Sequence, residues 1–163
     1  MAGKVKRARD RRVSSTTHVL VQLVGAQIAV ARLRNRWTEI RAEWLRNHAV
    51  LTAAEVAERA VLATPNATTI LAEWEGNRRV FGLTADSQRL YPAFLFEVCG
   101  LPDARFHTLL LALDGKLGDW PLAMWLTMPN AEFEGWATPL EMMDRDPDAA
   151  AAAARIAVQV SSY

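Results

Sequence analysis

Apolar residues recur at Val19, Leu23, Ala26, Val30, Leu33, Trp37, Ile40 and Trp44, separated alternately by four and three positions. That alternation places one apolar stripe on an α-helix, and its persistence over several turns is the heptad signature of paired helices. The pattern predicts one long helix within residues 17–50, started by Thr16 or Thr17 as N-cap and about 45 Å long at the usual rise per residue. Leu20, Val24 and Ile28 flank the seam, so the first half of this helix needs cover on more than one face. Two arrangements supply it: packing along the chain's own body, or homodimerisation through Leu23, Val30, Leu33, Trp37, Ile40 and Trp44.

The next segment, residues 51–98, changes period. Thr52 with Glu55 three positions on is a capping box opening a short helix through Ala60. After a turn at 61–64, Thr64 as N-cap and Pro65 in the first turn open a second helix. Ile70, Leu71 and Trp74 are its buried face, and Gly76 is placed to end it in a left-handed turn. Two short helices joined this way form a helix-turn-helix, whose second helix meets the major groove with its first residues. Thr64, Asn66, Thr68 and Thr69 stand there, and each can hydrogen-bond a base edge or a phosphate. Val80–Leu83 and Leu90–Tyr91 form a β-hairpin wing, with Arg78 and Arg79 at a phosphate-contacting position. Glu73 and Glu75 on the same second helix oppose phosphate approach.

Residues 99–163 are helical again. Phe106, Leu109, Leu110 and Leu113 share one face of a helix over 105–118, and Asp119 is a cap for another over 119–128. Pro129, Gly135 and Pro139 punctuate a turn, Thr138 caps the following helix, and Asp146-Pro147 opens an alanine-rich last helix toward Val160. The fold class expected is therefore mainly α: a long N-terminal helix, a small helix-turn-helix with a short β-hairpin, and a C-terminal helical domain.

Charge sharpens this division. Residues 1–50 carry 11 Lys/Arg against 3 Asp/Glu, and residues 51–163 carry 8 against 15. The basic excess begins in residues 1–16, where Lys4, Lys6, Arg7, Arg9, Arg11 and Arg12 read as a flexible arm. Lys6 and Arg7 are candidate phosphate contacts. The other reading is that the two halves neutralise each other within one molecule or a dimer. The arm and the apolar stretch ending in Ala29-Val30-Ala31 outline a secretory signal. However, Gln22 and Gln27 interrupt the stretch, and the helical seam runs in phase through the supposed cleavage site. The stretch is also short and polar for a membrane span, so a cytoplasmic protein is expected.

With Cys99 as the one cysteine and His18, His48 and His107 far apart, neither a disulfide framework nor a metal-ligand spacing is present. Cys99, in an apolar context, reads as a buried, inert thiol. The chain has no Gly-rich phosphate loop and no nucleophile motif, so the expectation is a protein that is not an enzyme and takes no cofactor.

Trp125-Leu126, Pro129-Asn130, Phe133, Gly135 and Pro139-Leu140 stand in an ordered string that resembles the toxin-binding domain of Xre/MbcA/ParS antitoxins. Tyr91-Pro92-Ala93-Phe94-Leu95-Phe96 looks like the segment linking helix-turn-helix to toxin-binding domain in such proteins, and Thr52–Arg59 is similar to the start of their DNA-binding part. The resemblance covers about residues 51–158, and Phe133 stands where leucine is more usual. It implies an antitoxin of a type II toxin-antitoxin system that neutralises a RES-domain toxin, an NAD-depleting enzyme, and regulates its own operon by binding operator DNA. It also implies that Gln159, Ser161, Ser162 and Tyr163 face the toxin's pocket. Trp125, Leu126, Phe133 and Leu140 read as core. Trp136, Met142 and Met143 are the better toxin contacts, because aromatic residues and methionine are enriched at interfaces. The alternative is a stand-alone dimeric DNA-binding regulator or interaction scaffold without a toxin.

Overall fold

The computed structural model describes residues 26–62, 66–113 and 115–160, and the chain divides into two compact units, Met1–Glu43 and Trp44–Tyr163. The basic arm with Lys6 and Arg7, the seam residue Leu23, the helix start at Thr64 and the tail Ser161, Ser162 and Tyr163 lie outside the described residues. Among the described residues no helix is long and apolar enough to cross a membrane.

In the first unit the described residues belong to one helix, α1 (residues 26–47), whose last turn lies in the second unit. Its seam faces solvent: Val30, Leu33, Trp37 and Ile40 are between 36% and 61% exposed. Trp44 departs from the expected seam and is buried in the second unit. The indole N–H donates to Thr127 Oγ1 at 2.9 Å, the ring stacks on His48 at 4.4 Å, and Trp120 meets it edge-on at 5.9 Å. A buried indole whose polar edge is satisfied gains more from a core than from an exposed stripe.

The second unit is mainly helical with a small antiparallel sheet. Its elements are β1 (Val50–Thr52), α2 (Ala53–Arg59), α3 (Ala67–Gly76), β2 (Leu83–Ala85) and β3 (Gln88–Pro92). A short 3-10 turn (Ala93–Leu95) leads to α4 (Ala104–Leu113), α5 (Asp119–Thr127), α6 (Pro139–Arg145) and α7 (Pro147–Val160). The strands lie in the order β1-β3-β2. The hairpin is shifted from its expected place: its first strand is Leu83–Ala85 rather than Val80–Leu83, because Val80 and Phe81 turn into the core, and the sheet gains a third strand from the residues before α2. The hairpin turn is Asp86-Ser87, both left-handed (φ 47° and 63°), with Ala85 opposite Gln88. Two left-handed central residues give the turn the twist that matches its strands.

Capping sets the helix starts. Thr52 and Glu55 close the expected capping box on α2, and Thr138 and Glu141 close another on α6 behind Pro139. Four expected helix boundaries differ. Asn66 rather than Thr64 is the N-cap of α3, which begins at Ala67. α4 stops at Leu113, and Gly118 rather than Asp119 is the N-cap of α5, because the Asp119 carboxylate is drawn to Arg89. Gly76 is the last residue of α3, and the left-handed position falls on Arg78 (φ 56°) instead.

One apolar cluster runs through the unit, joining Leu51, Val56, Leu71 and Trp74 to Phe106, Leu109, Leu126 and Met143. The alanines of α7 serve it: Ala150 and Ala154 are fully buried, and their lack of bulk lets α4 and α6 pack closely. Phe133 and Ala137 pack on Ala153 in a smaller cluster with Trp125 and Met142 at its edge. Cys99 is exposed, contrary to the expectation of a buried thiol. It sits in the tight turn closed by Gly100 N–H donating to the Glu97 carbonyl at 2.8 Å, which leaves its side chain at the surface.

Candidate nucleic-acid and partner-binding surfaces

α2 and α3 pack against each other and against the sheet through Val56, Ala57, Leu71 and Trp74. That leaves Asn66, Thr68 and Thr69 exposed at the start of α3. Asn66 is the N-cap but makes no side-chain capping bond, so its amide is not used within the helix. The surface is small, polar and uncharged, with side chains that can donate and accept hydrogen bonds.

The two acidic residues of α3 part company. Glu73 is exposed. Glu75 is half-buried and turned to the sheet, where its carboxylate accepts from the Arg89 guanidinium and, at 2.9 Å, from the Tyr91 hydroxyl. Arg89 also donates to Asp119 at 2.6 Å and to Thr84 Oγ1 at 3.2 Å, so one guanidinium ties together α3, the hairpin and the first turn of α5. Burial, reinforced by the hydrogen bond to Glu75, pushes the Tyr91 phenol well above its usual value. Trp120 adds a second tie, its indole N–H donating to the Thr84 carbonyl at 3.1 Å. Arg89 has no signature in the sequence beyond its place in a strand, since partners 14 and 30 residues away are visible only after folding.

Both expected phosphate-contacting arginines are exposed, in different settings. Arg79 lies over the Trp74 ring at 5.9 Å. Arg78 turns the other way, with its guanidinium against Gly115 and its carbonyl 3.2 Å from His107 Nδ1. Sequence spacing brings them together, but the left-handed backbone at Arg78 separates them.

The loop between α5 and α6 holds Trp136 at the surface, 66% exposed. Two other residues of the loop point inward. Phe133 and Ala137 are buried, and Asn130 N–H donates to the Ala137 carbonyl at 3.1 Å, which closes the loop. Gly135 (φ 71°) and Trp136 (φ 59°) are both left-handed, a conformation costly for a side chain as large as tryptophan. Met143, offered as a contact, is 2% exposed and belongs to the core, because α6 turns that face to α7; Met142 is half-buried between the two apolar clusters. Gln159 is exposed on α7. Among the described residues no group of three or more His, Cys, Asp and Glu side chains is arranged to hold a metal ion.

No protein-family model and no curated protein matches the chain. A solved structure described as the NMR structure of Rv2175c is similar at 18% identity, covering 70% of this chain and 79% of that one, with a TM-score of 0.49. That degree of likeness assigns no function.

Proposed function

We propose that this chain is a DNA-binding regulator that docks a partner protein through its C-terminal helices, the antitoxin of a toxin-antitoxin pair. The observation that carries the DNA reading is the start of α3. Asn66, Thr68 and Thr69 are exposed there on a helix braced by a sheet, while Glu75 is withdrawn into an ion pair with Arg89. Of the two acids that oppose phosphate, only Glu73 then faces outward. Arg79, just beyond the end of that helix and over its Trp74, supplies positive charge.

The antitoxin reading rests on the ordered string Trp125 to Leu140 and on the outward Trp136 that the same loop carries. The resemblance points to a RES-domain toxin as partner, and to regulation of the operon encoding both. Titration of the chain's own upstream DNA by fluorescence anisotropy tests the first half. Affinity falls as salt rises, because phosphate contacts release counterions, and Asn66, Thr68 and Thr69 to Ala together abolish preference for that DNA over scrambled sequence. Absence of binding at low salt overturns the DNA reading. Co-purification with the product of the neighbouring gene, with mass determination of the complex, tests the second half.

The stripe Val30, Leu33, Trp37 and Ile40 favours a second reading, in which α1 pairs two copies and the protein is an interaction scaffold. The same two experiments separate them, since a scaffold forms the dimer and binds neither DNA nor toxin.

A further inference from the structure

A cavity of about 180 Å³ opens between the segment that follows α3 and the α4–α5 connection. Its lining is divided between the apolar side chains of Val80, Phe81, Leu110, Leu113 and Leu122 and a polar side formed by Arg78, Asp119, Gly115 and Gly118. Arg78 stands on its rim. Two left-handed residues hold that arrangement: Arg78 itself (φ 56°), and Gly115 (φ 64°), where a Cβ would lie 2.5 Å from the guanidinium. Arg78 is left-handed because it closes the end of α3, where Arg79 N–H donates to the Trp74 carbonyl at 2.8 Å, and that closure sets the direction in which its side chain leaves the helix. The rim carboxylate, Asp119, is engaged by Arg89 at 2.6 Å, and among the described residues no carboxylate pairs with Arg78.

We propose that this cavity binds a small aromatic carboxylate, its ring among the apolar walls and its carboxylate on the Arg78 guanidinium. The size fits, since a cavity of about 150 Å³ accepts benzene, and the mixed lining suits a ligand with one apolar and one charged end. The charge fits as well, because a guanidinium fork matches a carboxylate with two parallel hydrogen bonds. A cationic or neutral ring compound of the same size lacks that pairing. The site stands apart from the DNA and toxin readings, and it assigns Arg78 to a ligand rather than to a phosphate of DNA.

The test is titration of the full chain with benzoate, followed through backbone amide resonances, with benzamide as the uncharged counterpart. Benzoate gives saturable shifts centred on Val80, Phe81, Leu110, Leu113 and Leu122, and benzamide binds at least about tenfold more weakly. Arg78→Gly removes the guanidinium while accepting the left-handed backbone, so it keeps or raises the melting temperature and weakens benzoate at least about tenfold. Shifts that scatter over the surface or fail to saturate in the millimolar range overturn the site. Equal affinity for benzamide, or undiminished benzoate binding by Arg78→Gly, overturns the carboxylate pairing. Should Arg78→Gly unfold, the benzoate–benzamide comparison on the unaltered chain still decides.

Discussion

Arg89 on β3 and Glu75 in the last turn of α3 form an ion pair that turns a carboxylate of the candidate reading helix away from its exposed face. Because Arg89 also binds Asp119 at 2.6 Å, the pair fastens α3, the hairpin and α5 in one arrangement.

Replacing Arg89 by Met leaves Glu75 half-buried with Tyr91 as its remaining donor. We expect a loss of about 1–3 kcal/mol, the range for removing a charged hydrogen-bond partner, discounted toward the lower end because the pair is partly solvated. Urea denaturation measures it. Adding Glu75→Gln restores part of the loss, and the double-mutant cycle reports the coupling; strictly additive effects would show that the pair contributes nothing of its own.

Trp44 and Trp37 lie on one heptad seam but have opposite fates. Trp44→Ala opens the core around Trp120 and Thr127 and is expected to cost about 3–5 kcal/mol. Trp37→Ala, at a position 45% exposed, is expected to leave the melting temperature within about 1–2 °C while lowering self-association. Thermal melting and sedimentation equilibrium read the two effects separately. A monomeric unaltered chain would overturn the second reading, in which α1 pairs two copies.

Trp136→Gly relieves a left-handed backbone at an exposed site. Stability is expected to stay level or rise by less than about 1 kcal/mol, while the complex with the neighbouring gene's product weakens by at least about tenfold. A pull-down unaffected by the substitution would show that Trp136 is no anchor.

Acid should destabilise the second unit in a definite window. Hydrogen bonds from Arg105 hold the Asp103 carboxyl below its usual value, and capping bonds to Thr52 and Thr138 do the same for Glu55 and Glu141. A carboxyl whose folded pKa is depressed contributes stability above its unfolded value, near about 4, and loses it as pH falls through the folded value. Denaturation midpoints are therefore expected to be flat from about pH 7 to 5 and to fall below about pH 4. Asp103→Asn should start lower at neutral pH and respond less steeply to acid. An unchanged acid slope in that variant would remove Asp103 from the account.

Local features were legible from residue order because their causes are local. The capping box of α2, the Thr138 cap of α6, the apolar faces of α3 and α4, and the presence of a hairpin, though not the bounds of its first strand, each depend on residues a few positions apart. Asn66, Thr68 and Thr69 were placed near the start of the second helix in this way, although that helix begins at Ala67 rather than beside Thr64. The exposure of Cys99 was not, because an apolar neighbourhood in the chain does not say on which side of a turn a thiol falls.

By itself the sequence determined the helical periodicity of α1, the mainly helical class, and the division of charge between a basic first part and an acidic remainder. These follow from side-chain period, capping and charge, which neighbouring residues set among themselves. Tertiary structure alone decided that Trp44 leaves the seam for the core, that Glu75 faces Arg89 while Glu73 faces solvent, and that Arg78 and Arg79 part. Each of these is a competition between partners far apart in the chain. Its outcome depends on which groups burial brings within hydrogen-bonding distance, and residue order carries no measure of that.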